Sequence, residues 1–348
     1  MNLLLNIYGS PFTYGWLPEG ATRVPAESLL EAATSLGLQG VELPTPLIDL
    51  ADAHQLARIR AMAAESDLEL VLSAADTQPE FLLRAIDAAQ QLGCAVLRTV
   101  VGGARLGGDR REYLGRWPSF LDTLRERFER VLEPASQSGV AIAVENHQDL
   151  TSEELLQMCE TFDSPFFGVN LDTANALGVG ELPLEFAKRV ARHVKHVHLK
   201  DYRIYLSGSG YRLARCPAGA GVVPFGEIVE VLQAAGYARG ASIELGATEA
   251  RHVRLLEPDF WPEYPDRSAE QLAGVMKFVL DHARPAQEDY RTPHERGAPP
   301  ADLVRFEQAE WDESFAYLSQ LPEIALEGGP PAASPAGAPA SRAGTGQR

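Results

Sequence analysis

Short apolar runs of β character alternate along the chain with longer stretches of helical period, the signature of repeated βα units that build a parallel sheet. Eight runs stand out, at residues 3–8, 40–43, 69–74, 95–101, 140–146, 168–172, 194–200 and 241–245. Amphipathic segments such as SLLEAATSLGL, EFLLRAIDAAQQLG and FGEIVEVLQAAG lie between them. Gly37, Gly93, Gly139 and Gly236 end several of these segments, as left-handed helix caps do. Eight units predict a (β/α)8 TIM barrel, a fold of about 250 residues. A doubly wound open sheet would carry a glycine-rich fingerprint after its first strand, and Ser10-Pro11-Phe12-Thr13 is not one. Gly219-Ala220-Gly221 follows the seventh run rather than the first, and is too isolated to signal a nucleotide.

The predicted organisation is a barrel over residues 1–285, a helical extension over 286–326 and a tail over 327–348. Within the extension, residues 301–321 form one amphipathic helix with Leu303, Phe306, Trp311, Phe315 and Leu318 as its apolar side, to pack on the barrel or on a partner subunit. The tail is rich in Gly, Pro, Ala and Ser, cannot bury a core, and is expected to be disordered.

Side chains two apart share one face of a strand. By that rule Ala143, Glu145 and His147 point one way from the fifth run, and Gly168, Asn170 and Asp172 from the sixth. His196, His198 and Lys200 do so from the seventh, and Ser242 and Glu244 from the eighth. The opposite faces carry Ile142 and Val144, Val169 and Leu171, Val197 and Leu199, and Ile243 and Leu245, suited to lie beneath helices. A barrel filled for stability alone would carry Val, Ile or Leu inside, and charged groups are rarely buried unless paired or bound to metal. Glu145, Asp172, His198 and Glu244 sit near the carboxyl ends of four successive strands, the end where barrel active sites lie. Three carboxylates and an imidazole converging on one point repel unless a divalent cation sits among them. Mixed oxygen and nitrogen donors suit Mn²⁺, Mg²⁺, Co²⁺ or Zn²⁺, and the dominance of carboxylates favours Mn²⁺.

Composition narrows the partners. The 348 residues carry 31 basic against 48 acidic side chains, a net charge of −17. The basic stripe that nucleic-acid binding needs is absent from such a sequence. No apolar run reaches the eighteen residues of a membrane span. The opening MNLLLNIYGSPFTYGW has neither a basic leader region nor a small-residue cleavage site, so a cytoplasmic location is expected. Cys94, Cys159 and Cys216 have no metal-type spacing and are read as small buried hydrophobes.

Four segments together carry a family resemblance. Val-Glu-Asn-His at 144–147, Leu-Asp-Thr-Ala-Asn at 171–175, His-Val-His-Leu-Lys-Asp at 196–201 and Ile-Glu-Leu at 243–245 resemble the sugar phosphate isomerase/epimerase superfamily, the xylose isomerase-like TIM barrels, over residues 1–283. The resemblance implies that Glu145, Asp172, His198 and Glu244 are the four metal ligands. It also implies, as in ketose 3-epimerases of the superfamily, that Glu145 and Glu244 form the acid/base pair flanking the substrate carbon. The expected activity is then isomerisation or epimerisation of a keto-sugar or cyclitol through an enediolate, with the metal polarising the carbonyl and carboxylates moving the proton.

The departures from that pattern shift the expectation. Where those epimerases carry a histidine three residues after the aspartate ligand, this chain has Asn175, which positions a hydroxyl but cannot shuttle a proton. Lys200 and Arg203 are the cations available after His198 to hold substrate oxygens, with Glu42 and Arg98 as weaker candidates for substrate hydroxyls. His147 is either a general base in contact with substrate or a supporting hydrogen-bond group. A Glu-Asn-His segment with a catalytic histidine resembles the large subunits of C-glycoside deglycosidases and related keto-sugar lyases. The alternative is therefore a metal-dependent lyase or dehydratase, inosose dehydratase-like reactions included, working with a small partner subunit. A non-catalytic sugar-binding barrel is the alternative outside enzymology, and a homo-oligomer is the other form of partnership. Endonucleases of the superfamily need more histidines near the site than His147, His196 and His198, and His196 is read as a deeper core residue. Trp261, in the aromatic segment 260–265 after the eighth run, stacks on a sugar ring or forms a subunit contact. Residues 102–108 and 202–220 are read as loops, either over the site or on the surface.

Overall fold

The computed structural model describes residues 1–18 and 20–324; the expected disordered tail at 327–348 lies outside the described residues. Eight parallel strands close into a barrel: β1 (Leu3–Asn6), β2 (Gly40–Pro44), β3 (Glu69–Ser73), β4 (Val96–Thr99), β5 (Ala141–Glu145), β6 (Phe167–Asp172), β7 (Val194–Leu199) and β10 (Ala241–Ile243). Their neighbours follow chain order, and β10 pairs with both β7 and β1 to shut the ring. The chain is a TIM barrel, as the alternation predicted.

Helices α1 (Ala26–Ser35), α2 (Ala53–Glu65), α3 (Pro79–Leu92), α4 (Trp117–Ser138), α5 (Ser152–Phe162), α6 (Pro183–Val190), α7 (Phe225–Ala234) and α8 (Ala269–His282) follow the barrel strands in turn. The outward strand residues Ile142, Val144, Val169, Leu171, Val197, Leu199 and Ile243 are fully or almost fully buried beneath them. Gly93 and Gly139 cap α3 and α4 in the left-handed region at φ 80° and 68°, which a side chain at these positions would disfavour. Inside the barrel, Leu4, Val71, Val96 and Ala143 form a small apolar plug of their own. Glu42, Arg98, Glu145, Asn170, His196, His198 and Ser242 are also buried on the strands.

Residues 202–220 are not the loop that the sequence suggested. They form a hairpin, β8 (Tyr202–Ser207) and β9 (Gly210–Arg215), to which β11 (Arg251–Val253) adds antiparallel. The alternation of buried Tyr202 and Ile204 with Arg203 was legible there, but the glycines at 208 and 210 read as loop. The extension contains α9 (Pro300–Leu318), which packs on the barrel with Leu303, Trp311, Phe315 and Leu318 buried. Phe306 is only half-buried, and the same side of α9 also buries two carboxylates, Glu307 and Glu310. The Glu310 carboxylate accepts from Arg215 Nε at 2.8 Å, and Ser314 Oγ accepts from Ala218 N–H at 2.9 Å, so α9 is fixed against the end of the hairpin. Among the described residues no helix is long and apolar enough to cross a membrane.

Candidate metal and substrate site

The strand ends bring Glu145, Asp172, His198 and Glu244 together, each offering a ligand atom within 4.8 Å of the others. Glu145 and His198 lie on β5 and β7, Asp172 ends β6, and Glu244 follows β10 with its N–H donated to Leu199 O at 3.1 Å. All four are buried. His198 Nδ1 lies 2.7 Å from Glu244 Oε2 and 3.4 Å from Glu145 Oε2. Neither His198 Nδ1, Glu244 Oε2 nor Asp172 Oδ2 makes an aligned hydrogen bond. Buried polar atoms are seldom left so, because each forfeits the solvation it had in water. Three orphaned donors from three strands, with a Glu145 oxygen beside them, form a mixed O and N set that fits a divalent cation.

The orientation of His198 has a visible cause. Its Nε2 is 2.9 Å from Glu42 Oε2, which turns Nδ1 toward the carboxylates. Glu42 is itself held by Ser242 Oγ, which donates at 2.7 Å, and Asn6 Nδ2 at 2.9 Å, with His196 Nε2 at 3.3 Å. Glu42, expected to bind a substrate hydroxyl, spends Oε2 behind His198, while its Oε1 is buried without a hydrogen-bond partner. His196 also contacts Ser242 Oγ at 2.8 Å and is the core residue expected.

Arg98 Nε donates to Glu145 Oε2 at 2.6 Å, and its Nη2 reaches the same oxygen. Nη1 reaches Ser73 Oγ at 3.2 Å. Asn170 Nδ2 adds a donor to that Glu145 oxygen at 3.3 Å, and Asn175 Nδ2 lies 3.5 Å from the other. Asn175 Oδ1 in turn accepts from Gln148 Nε2 at 2.9 Å and the Tyr202 hydroxyl at 3.3 Å. Lys200 Nζ is 2.6 Å from Glu244 Oε1 and 2.9 Å from Asp172 Oδ2. Lys200 is thus a counter-charge among the expected ligands, and its contacts are with carboxylates rather than with open space.

Above this floor lies a cavity of about 390 Å³. Glu244 and His147 face it together with Arg98, Tyr8, Trp16 and Arg251. Two expected substrate contacts lie elsewhere. Arg203, the second residue of β8, points away from the face that carries Tyr202 and donates to Ala220 O at 3.3 Å. Trp261 donates its indole N–H to Leu255 O at 2.9 Å and packs edge-on against Phe260 and Tyr264. Tyr264 and Trp117 sandwich the Arg110 guanidinium, which pairs with Glu154 at 2.7 Å, so the aromatic segment serves packing. Among the 102–108 residues, Gly107 N–H donates to Gln148 Oε1 at 2.7 Å, which ties that loop to the site.

Charge pairing sets the protonation states. Burial pushes the Glu145 carboxyl up, but Arg98 and then His198 outweigh it and hold it below its usual range. Burial acts likewise on Glu244, where Lys200 and His198 win and hold it well below. Glu42 is also held well below, burial being overcome by His198 and His196. Burial opposes the charge on His198 and on Lys200, yet the surrounding carboxylates keep both well above their ordinary values. Tyr8 is pushed up to about 12 by burial and stays neutral.

Asn6, Gln148, Tyr202, Ser242 and Arg251 were not singled out from sequence. Asn6 and Ser242 share the inward parity of their strands, a usable signal. Gln148 sits at φ 63° beyond β5, and Arg251 lies on a three-residue strand, neither of which a periodic pattern reveals.

Comparison with known proteins agrees with the fold. The family described as xylose isomerase-like TIM barrel matches residues 30–257. The uncharacterized protein YihM of Escherichia coli (strain K12) is 24% identical over 208 residues, which span 58% of this chain and 61% of that protein. The 3-oxo-isoapionate decarboxylase of Pectobacterium atrosepticum is 21% identical over 228 residues, 64% of this chain and 79% of the relative. D-psicose 3-epimerase of Clostridium cellulolyticum H10, solved with D-tagatose, shares the fold with a TM-score of 0.55 at 15% identity, over 91% of this chain and 99% of its own.

Proposed function

The chain belongs to the xylose isomerase-like TIM barrel family, and from that premise we propose that it is a divalent-metal-dependent enzyme that removes the proton next to the carbonyl of a keto-sugar or keto-cyclitol. The observation that carries the reading is the convergence of Glu145, Asp172, His198 and Glu244, each offering a ligand atom within 4.8 Å of the others, with Glu244 opening onto a cavity of sugar size. Glu145, Asp172, His198 and Glu244 would hold the ion, with Mn²⁺ expected and Mg²⁺, Co²⁺ or Zn²⁺ as alternatives. When bound, it supplies Lewis-acid polarisation of the substrate carbonyl and an adjacent hydroxyl.

The protein groups do the proton work. Glu244 faces the cavity and is kept ionised by Lys200, so it can take a proton from substrate carbon. Return of a proton to the same or the neighbouring carbon gives epimerisation or isomerisation. A second reading, elimination by a lyase or dehydratase, has its own support. His147 faces the same cavity and can protonate a departing hydroxyl, whereas Glu145 is bound by Arg98 and Asn175 cannot shuttle a proton.

Metal analysis of protein purified without chelator and solvent-deuterium uptake into keto-sugars and keto-cyclitols test the common step. About one ion per chain and deuterium uptake abolished by Glu244→Gln are expected. A metal-free protein indifferent to EDTA, or full exchange in Glu244→Gln, would overturn the reading. Product analysis separates the branches: His147→Ala should abolish elimination while leaving most of the exchange intact.

A further inference from the structure

Two arginines line the cavity, with Lys200 behind Glu244, and two of these three cations are spent. Arg98 is bound to Glu145, and Lys200 lies between Asp172 and Glu244. Arg251 is different. It lines the cavity beside Glu244 and His147, and among the described residues no carboxylate lies within 4.0 Å of its guanidinium. Its Nε is buried and has no hydrogen-bond partner.

The backbone that carries Arg251 is fixed. Arg251 pairs with Leu213 across β11 and β9, and the preceding Ala250 N–H donates to Glu295 Oε2 at 3.1 Å. A guanidinium held at a cavity wall with a dry, unused donor costs free energy unless a ligand completes it.

We infer that Arg251 is an anion-reading residue of the substrate site, and that the substrate is a keto-sugar acid whose carboxylate it binds. This deepens the proposed function and rests on the same cavity being the substrate site. A planar guanidinium matches a carboxylate through two parallel N–H donors, and one guanidinium neutralises one such charge. A phosphate, with up to two charges and three oxygens, asks for more cations than this wall provides.

Calorimetric titration of the Mn²⁺-loaded protein with D-gluconate, D-glucitol and D-glucitol 6-phosphate tests the assignment. Gluconate is expected to bind at least tenfold more tightly than glucitol or its phosphate. Arg251→Gln should remove that preference while leaving glucitol binding and metal content unchanged, and Arg251→Lys should restore part of it. Three results would overturn the inference: equal affinity for gluconate and glucitol, preference for the phosphate, or gluconate binding that survives in Arg251→Gln because its carboxylate sits on the metal. Repeating the titration on EDTA-treated protein separates the two claims, since a preference lost with Arg251 but kept without metal would fault the metal reading alone.

Discussion

The extension is expected to shape the substrate cavity through one side chain, Glu307 of α9. Its buried carboxylate accepts the N–H of Phe12 at 3.1 Å, the N–H of Thr13 at 2.8 Å and the Thr13 hydroxyl at 2.9 Å. The segment so clamped continues into Pro11, Trp16 and Leu17, which wall the cavity. Glu307→Ala strips two backbone donors and a hydroxyl of their acceptor. Hydrogen bonds to a charged group are worth about 1.5–3 kcal/mol each. Two effects offset that sum: Phe12 and Thr13 are only half-buried, so water replaces part of the loss, and burial already pushes the Glu307 carboxyl up, so its removal relieves a desolvation cost. A net loss of about 2 kcal/mol follows, or roughly 3 °C in Tm for a domain of this size.

Scanning calorimetry of the wild type, Glu307→Ala and Glu307→Gln at fixed Mn²⁺ measures this directly. Glu307→Gln keeps one carbonyl acceptor and should recover about half of the loss. Because the clamped segment forms a wall and holds none of the proposed proton-transfer groups, Glu307→Ala should raise KM more than it lowers kcat. A Tm within 1 °C of wild type, or an alanine variant with unchanged KM, would refute the claim that α9 positions this wall.

Three further outcomes follow from the charge arrangement. Since the carboxylates hold His198 protonated without metal, binding of Mn²⁺ must displace that proton. Calorimetry in buffers of different ionisation enthalpy should register about one proton released at neutral pH, and affinity should fall about tenfold per pH unit on acidification; no released proton would contradict the assignment of Nδ1 as a ligand. Glu42→Gln weakens the group behind His198 and should cost about 10–100-fold in Mn²⁺ affinity by the same titration, an unchanged value refuting its orienting role. Lys200→Met leaves Asp172 and Glu244 without their cation, a loss of about 3–5 kcal/mol in metal-free protein. Added Mn²⁺ should therefore raise the Tm of that variant more than that of the wild type, and an equal gain in both would show that Lys200 and the ion do not share these carboxylates.

The barrel was legible because its signals are local and repeated. Strand parity placed Glu145, Asp172, His198 and Glu244 inward, and four successive strands brought them to one end. Parity also made Glu42 inward, but not that its partner would be His198 across the barrel, because an 8-strand ring brings β2 and β7 together only once it has closed. Arg203 and Trp261 were misplaced for a related reason: sequence put them at the correct mouth, while an unexpected hairpin and an aromatic cluster decided which way they face. Arg251 escaped notice because a three-residue edge strand has too little pattern to read. The buried face of α9 was read from its apolar residues alone, although Glu307 and Glu310 anchor it through partners some 300 and 95 positions away.

The two glutamates that the family resemblance makes an acid/base pair are not equivalent in this protein. Glu145 is fully buried, accepts from Arg98 and Asn170 on one oxygen and meets Asn175 at the other. Proton transfer to it would neutralise a carboxylate that Arg98 holds below its usual range, and would weaken that charge-assisted contact in a dry interior. Glu244 has its two oxygens divided, Oε1 to Lys200 and Oε2 aimed at His198 without an aligned bond, and it reaches the cavity. A pair of equivalent carboxylates suits removal and return of a proton on opposite faces of one carbon. A single reachable carboxylate beside His147 suits removal from carbon and delivery to a leaving oxygen. Partition of a deuterated keto-sugar acid between exchanged substrate and eliminated product measures that balance, and Arg98→Gln should move it toward exchange by freeing Glu145. If Arg98→Gln leaves the partition unchanged at equal metal content, the clamp on Glu145 does not choose the reaction.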